Sequence, residues 1–104
     1  MPTRYRILLA KRAANDLEGI SAYIAQDSPP NAAKMVARIL DAIELLKVLP
    51  HRNVLEGQHP KIKHPVRTLP VQSYIIFFRV DDARQAVRIL RIRHGAMKRL
   101  KRFE

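Results

Sequence analysis

The chain has 104 residues, 47% of them hydrophobic, which supplies one modest core and a single domain over 1–104. It has no cysteine, excluding disulfides and thiolate metal sites, and neither a leader-like apolar stretch after Met1-Pro2-Thr3-Arg4-Tyr5-Arg6 nor a run of the ~18 apolar residues a membrane span needs, so a soluble cytoplasmic protein is expected. The net charge of +11 is uneven: residues 1–50 hold 7 Lys+Arg against 5 Asp+Glu (+2) and residues 51–104 hold 13 against 4 (+9), an excess that attracts nucleic acid, ribosomes or an acidic polypeptide.

Tyr5 to Ala10 is apolar but too short for an independent helix and reads as an opening strand. Lys11-Arg12 lead into a helix whose Ala13, Leu17, Ile20 and Ile24 form a stripe, with Asp16 and Glu18 away from it, ending near Gln26. Asp27-Ser28-Pro29-Pro30 breaks the chain and starts a second helix, since Ser28 can cap free amides and proline suits the first turn. That helix is expected to reach about Val48. Ala32, Val36, Ile39, Leu40, Ile43 and Leu46 fall on one side; Lys34, Arg38, Asp41 and Leu45 fall on the other.

Pro50 to Pro65, with its prolines and little periodicity, reads as a connecting loop. Arg67-Thr68-Leu69-Pro70-Val71 follows as a strand, with Pro70 ending it or marking a bulge. Tyr74 to Val80 and Ala86 to His94 are two long strands joined by a turn at Asp81-Asp82-Ala83-Arg84-Gln85. The order strand, helix, helix, strand, strand, strand implies an α+β fold in which an antiparallel helical hairpin covers one face of a small, mainly antiparallel sheet.

Strand residues two apart share a face. Tyr74, Ile76, Phe78 and Val80 therefore make an apolar row, and Ile75, Phe77 and Arg79 the opposite one. On the last strand Leu90 and Ile92 point one way, and Ile89, Arg91 and Arg93 the other. The expected outcome is an outward sheet face that mixes apolar groups with guanidinium groups. Arginine forks bind phosphates and carboxylates alike, but neighbouring apolar side chains favour a polypeptide partner.

His51, His59 and His64 lie in or beside the proline-rich loop without acidic neighbours at ligand spacing, so no metal is expected. His94 reads as a polar strand end before Gly95 or as a group able to titrate near neutral pH. No phosphate loop, dinucleotide fingerprint, nucleophile triad or carboxylate pair is present, and no cofactor is expected.

These segments, Ala14 to Ile24, Val66 to Val71, Tyr74 to Asp81 and Ile92-Arg93-His94-Gly95-Ala96, stand in an order and spacing that resembles the RelE/ParE superfamily of type II toxins over nearly the whole chain. The resemblance implies the fold just described, with the open sheet face taken by a ParD-like antitoxin bearing an acidic C-terminal segment in a hetero-oligomer, and it assigns Arg67, Ile75, Phe77, Arg79, Ile89, Arg91 and Arg93 to antitoxin binding. RelE-like members resemble ribosome-dependent messenger RNA endonucleases, which need a base, an acid and cations around the phosphodiester. In that reading Lys61, Lys63, Arg67 and His94 would carry catalysis. The residue after Tyr74, however, is Ile75 where that branch has arginine, and Phe103 stands where it has tyrosine or histidine. The helix pattern, Phe77-Phe78-Arg79-Val80 and His94-Gly95-Ala96-Met97-Lys98-Arg99 look closer to the ParE-like branch, whose members look like DNA gyrase inhibitors without catalytic residues of their own. Departures from that branch are the long Arg52 to His64 loop and the basic tail. His94, Lys98, Arg99, Lys101 and Arg102 are then the target-binding candidates. A nucleic-acid-binding domain without toxicity is the third expectation.

Overall fold

The computed structural model describes residues 4–48, 50, 55–56 and 65–95. In chain order these form β1 (Arg6–Leu9), α1 (Lys11–Ala25), α2 (Pro29–Leu45), β2 (Leu55–Glu56), β3 (Val66–Val71), β4 (Tyr74–Asp81) and β5 (Ala86–His94). The sheet order is β1-β5-β4-β3-β2, antiparallel except for the parallel β1–β5 pair. The expected α+β architecture is the one observed. One difference lies in the presumed loop after α2, where β2 adds two residues to the free side of β3.

Local chemistry accounts for the helix boundaries. Ser28 holds an extended backbone, its Oγ accepts from the Asn31 amide at 3.3 Å, and Pro29-Pro30 occupy the first helical positions, where no intrahelical N–H is lost. α1 has no side-chain cap. Instead the Ala10 amide donates to the Ile89 carbonyl at 2.9 Å, tying the helix start to β5. Its other end closes with the Asp27 and Ser28 amides both donating to the Ile24 carbonyl. α2 ends at Leu45, earlier than expected, with Leu46 to Val48 in turns.

The core lies between the helices and one sheet face. Ala13, Ile39, Ile43 and Leu46 meet Ile76, Phe78, Val80, Val87, Ile89 and Ile92, with Leu17, Ile20, Met35 and Ala42 at the margin. Fully burying each large side chain contributes roughly 1.5–3 kcal/mol. Leu40, expected on the apolar side of α2, is 44% exposed, and Leu45 is 51% exposed.

Pro70 sits inside β3, opposite Ile75. Among the described residues β2 pairs no further along β3 than Arg67, so the missing N–H of Pro70 removes no ladder bond there. The two-residue link Gln72-Ser73 between β3 and β4 needs a left-handed residue, and Gln72 supplies it at φ 56. Among the described residues no helix is long and apolar enough to cross a membrane.

Candidate functional site

A single extra residue in β5 decides which side chains reach which surface. Phe78 pairs with Ile89 but Phe77 pairs with Arg91, leaving Leu90 as a bulge without a partner. Ile89 and Ile92, three positions apart, therefore both enter the core, where each is almost wholly buried. Strict alternation had placed Ile89 on the outward face with Arg91 and Arg93. The structure corrects that reading, because the bulge resets the alternation.

Arg91 is corrected as well. β1 ends at Leu9, paired with Ile89, so the far side of β5 is uncovered beyond that point and α1 lies against it. Asp16 of α1 fills the gap. Its carboxylate accepts from Arg91 Nε at 2.8 Å, from Arg91 Nη2 at 3.0 Å and from the Ile92 amide at 2.9 Å. The pair is largely shielded, with 14% and 15% of the two side chains exposed. The forked bond to the carboxylate raises the Arg91 pKa above its already high ordinary value. Arg91 is thus bound within the chain, and Asp16 faces the sheet instead of lying away from the buried stripe.

Arg67 pairs with Phe78 across the β3–β4 ladder. Directly opposed residues share a face, so Arg67 points to the helix side, not to the outward face with Arg79. The outward face is also less open than expected. Val66, Thr68 and Phe77 on it are buried, Phe77 to 2% exposure. Ile75 with Arg93, and Arg79 with Arg88, remain as outward pairs with partly or well exposed side chains. The predicted outward set is thereby reduced to Ile75, Arg79 and Arg93, with Arg88 added.

Beside the Asp16–Arg91 bridge a groove of about 600 Å³ runs between α1 and the end of β5, lined on the helix by Asn15, Gly19, Ile20 and Tyr23 and on the sheet by Tyr74, Ile92, Arg93 and His94. Gly19 keeps it clear: a Cβ there would meet nothing within 4 Å. Tyr23, 72% exposed, stands at its rim. The His94 ring meets buried Tyr74 edge to face, with centroids 5.2 Å apart and planes at 82°. Past His94, the Gly95 amide donates to the Ser73 carbonyl at 2.6 Å, and a Cβ on Gly95 would approach that oxygen to 3.2 Å, so the chain leaves β5 through a glycine.

Sequence reasoning missed Asp16. The signal was its spacing, three residues after Ala13 and four before Ile20, which places a carboxylate on the buried stripe and demands a partner. Lys61, Lys63, Lys98, Arg99, Lys101 and Arg102 lie outside the described residues, as do His51, His59 and His64. Among the described residues no group of three or more His, Cys, Asp or Glu could hold a metal ion.

The sequence matches the family model described as the ParE toxin of the type II toxin-antitoxin system parDE over residues 7–99. A curated relative, "Putative toxin Y4kP" of Sinorhizobium fredii (strain NBRC 101917 / NGR234), is 36% identical over 95 residues, covering 89% of this chain and 91% of that protein. Among solved structures, the chromosomal ParDE toxin-antitoxin system of P. aeruginosa superposes with a TM-score of 0.69 at 24% identity, covering 88% of this chain and 97% of the other. The RelBE2 toxin-antitoxin complex of Mycobacterium tuberculosis gives 0.65 at 21% identity over 91% of this chain and 95% of the other. The archaeal RelE–RelB complex of Pyrococcus horikoshii OT3 gives 0.65 at 12% over 91% and 99%. At these identities the superpositions establish the shared fold, whereas the family match covers most of the chain. The chain belongs to the ParE toxin family of type II toxin-antitoxin systems, within the RelE/ParE superfamily.

Proposed function

We propose that this toxin acts by protein contact, blocking DNA gyrase in the cytoplasm, and that a cognate antitoxin neutralises it. One observation carries the preference for contact over chemistry. Among the described residues the groove beside His94 is lined by one carboxylate, Asp16, which already accepts from the Arg91 fork and the Ile92 amide. Cleaving RNA through its 2′-hydroxyl needs a base and cations gathered around one phosphodiester, and strand pairing places Arg67 four positions along β3 from the Val71–Tyr74–His94 row, roughly 13 Å of extended strand. Releasing Asp16 for that task would leave the shielded Arg91 charge without its partner. The clear floor at Gly19 and the exposed Tyr23 suit docking of an apolar or aromatic group from a protein target. His94 lines this groove, and the basic run Lys98 to Arg102 follows it in sequence, so both fit the target-binding role.

For the antitoxin, the outward Ile75–Arg93 pair combines apolar surface with a guanidinium fork and suits an acidic, partly apolar segment. The neighbours of known structure are toxin-antitoxin systems, which supports such a partner.

Expression of the toxin alone, followed with a DNA-damage reporter and by message integrity, tests the reading. Induction of the reporter with intact messages is expected. Prompt cleavage of messages on ribosomes without reporter induction would replace gyrase inhibition by endonuclease activity.

A further inference from the structure

At the opposite end of β5 from His94, the outward sheet face carries a second constellation. In-register pairing sets Leu8, Arg88 and Arg79 side by side on β1, β5 and β4, with Arg6, Ala86 and Asp81 as the next row. These residues and Arg84 of the β4–β5 turn line a depression of about 310 Å³. Four arginines against one aspartate give its wall a charge of 4 − 1 = +3. The aspartate is already engaged: Asp81 Oδ1 accepts from the Arg84 amide at 3.2 Å, and Oδ2 lies 3.7 Å from Arg84 Nε.

Like charges directly opposed on neighbouring strands destabilise a sheet. Arg79 and Arg88 are such a pair, and among the described residues neither guanidinium has a carboxylate partner. Arg79 Nε is also buried from solvent with no hydrogen-bond acceptor. A shielded donor left unpaired destabilises the fold by the desolvation of that group. Both costs vanish if an anion sits between the two forks.

We propose that this depression is a binding site for a phosphoryl group, held between Arg79 and Arg88 and flanked by Arg6 and Arg84. A carboxylate brings two oxygens and one negative charge, which satisfies a single fork. A phosphoryl group brings three or four oxygens and a charge near −2, enough to bridge two forks and offset the +3 wall. The site is separate from the groove at His94: Ala86 and His94 are eight residues apart along β5, roughly 26 Å of extended strand. It therefore does not rest on gyrase as the target. Phosphate monoesters and polyphosphates offer that charge in one group, whereas a nucleic-acid backbone, with one charge and two free oxygens per diester, would have to present neighbouring phosphates to the two forks.

Pyrophosphate, a short oligothymidylate and a glutamate-rich peptide are titrated at constant ionic strength into the wild type, Arg88→Gln and Arg38→Gln, with amide chemical shifts locating the site. Arg88 and Arg38 are both exposed, so neither change threatens the core, and Arg38 on α2 controls for loss of one charge. Pyrophosphate is expected to shift amides around 79 and 88 and to bind Arg88→Gln at least fivefold more weakly, with Arg38→Gln unchanged. An equal loss for the oligothymidylate identifies a nucleic-acid backbone as the source; a loss confined to pyrophosphate identifies a free phosphoryl ligand. Equal pyrophosphate affinity in Arg88→Gln and wild type overturns the proposal. So does a glutamate peptide that binds as tightly as pyrophosphate with the same dependence on Arg88.

Discussion

Asp16 satisfies a charge and a strand amide at once, and that double duty makes it the residue whose loss should cost most outside the apolar core. Asp16→Ala strands a shielded guanidinium and a backbone donor, so a destabilisation of about 2–4 kcal/mol is expected by urea denaturation. A double-mutant cycle with Arg91→Ala should show a coupling above 1 kcal/mol; additive losses would mean that the bridge is not energetically linked. Arg91→Glu would set two carboxylates together and should cost more than Arg91→Ala. A loss of antitoxin binding in that variant would then report on the fold. Tyr5 offers a pH-dependent counterpart. Its hydroxyl donates to Asp82 Oδ1 at 2.6 Å, and this bond, with minor help from burial and the Asp82 charge, raises the phenol pKa above its ordinary value. The protonated phenol is the bonded form. Its contribution to stability is therefore complete below the unfolded phenol pKa of about 10 and is lost as pH rises through the higher folded value. Phenolate absorbance should show Tyr5 ionising late, and Asp82→Asn should lower its pKa; a titration unchanged by Asp82→Asn contradicts this assignment.

At the scale of elements, β5 carries the difference between what the sequence reveals and what it hides. The helices were legible because their apolar stripes repeat at three and four residues and Ser28-Pro29-Pro30 marks a start by known chemistry. β4 was equally plain. Its apolar row Tyr74, Ile76, Phe78 and Val80 is buried as the alternation demands. Alternation fails in β5 because Leu90 is an additional residue, and a bulge leaves no mark in composition. Arg67 could have been placed from the length of the Gln72-Ser73 link, which sets the β3–β4 register and pairs position 67 with 78. The burial of Phe77 was not readable, since it depends on tertiary surroundings rather than on its own strand. Deletion scanning tests the bulge. Removing Leu90 restores regular pairing with Ile89 and Ile92 still in the core, so the variant should keep native circular dichroism with a moderate loss of stability. Removing Arg88 instead would swing Val87 out of the core and should abolish folding. Equal damage from the two deletions would mean that Leu90 is an ordinary ladder residue.

For the whole molecule, two hollows among the described residues lie at opposite ends of one strand. At the end of β5 lies a groove of mixed polarity beside a locked ion pair; at its beginning lies an arginine-lined hollow. Neither arrangement frees a carboxylate to act as a base. The proposed contact mechanism needs none, and an antitoxin of opposite charge would complement the net charge of +11. The most direct measurement is the supercoiling of relaxed plasmid by purified gyrase in the presence of this protein. Inhibition that rises with toxin concentration, weakens in a Gly19→Trp variant that retains its fold, and disappears on adding the antitoxin is the predicted result. Undiminished supercoiling at saturating toxin, together with cleavage of messenger RNA on programmed ribosomes by the same preparation, would contradict it.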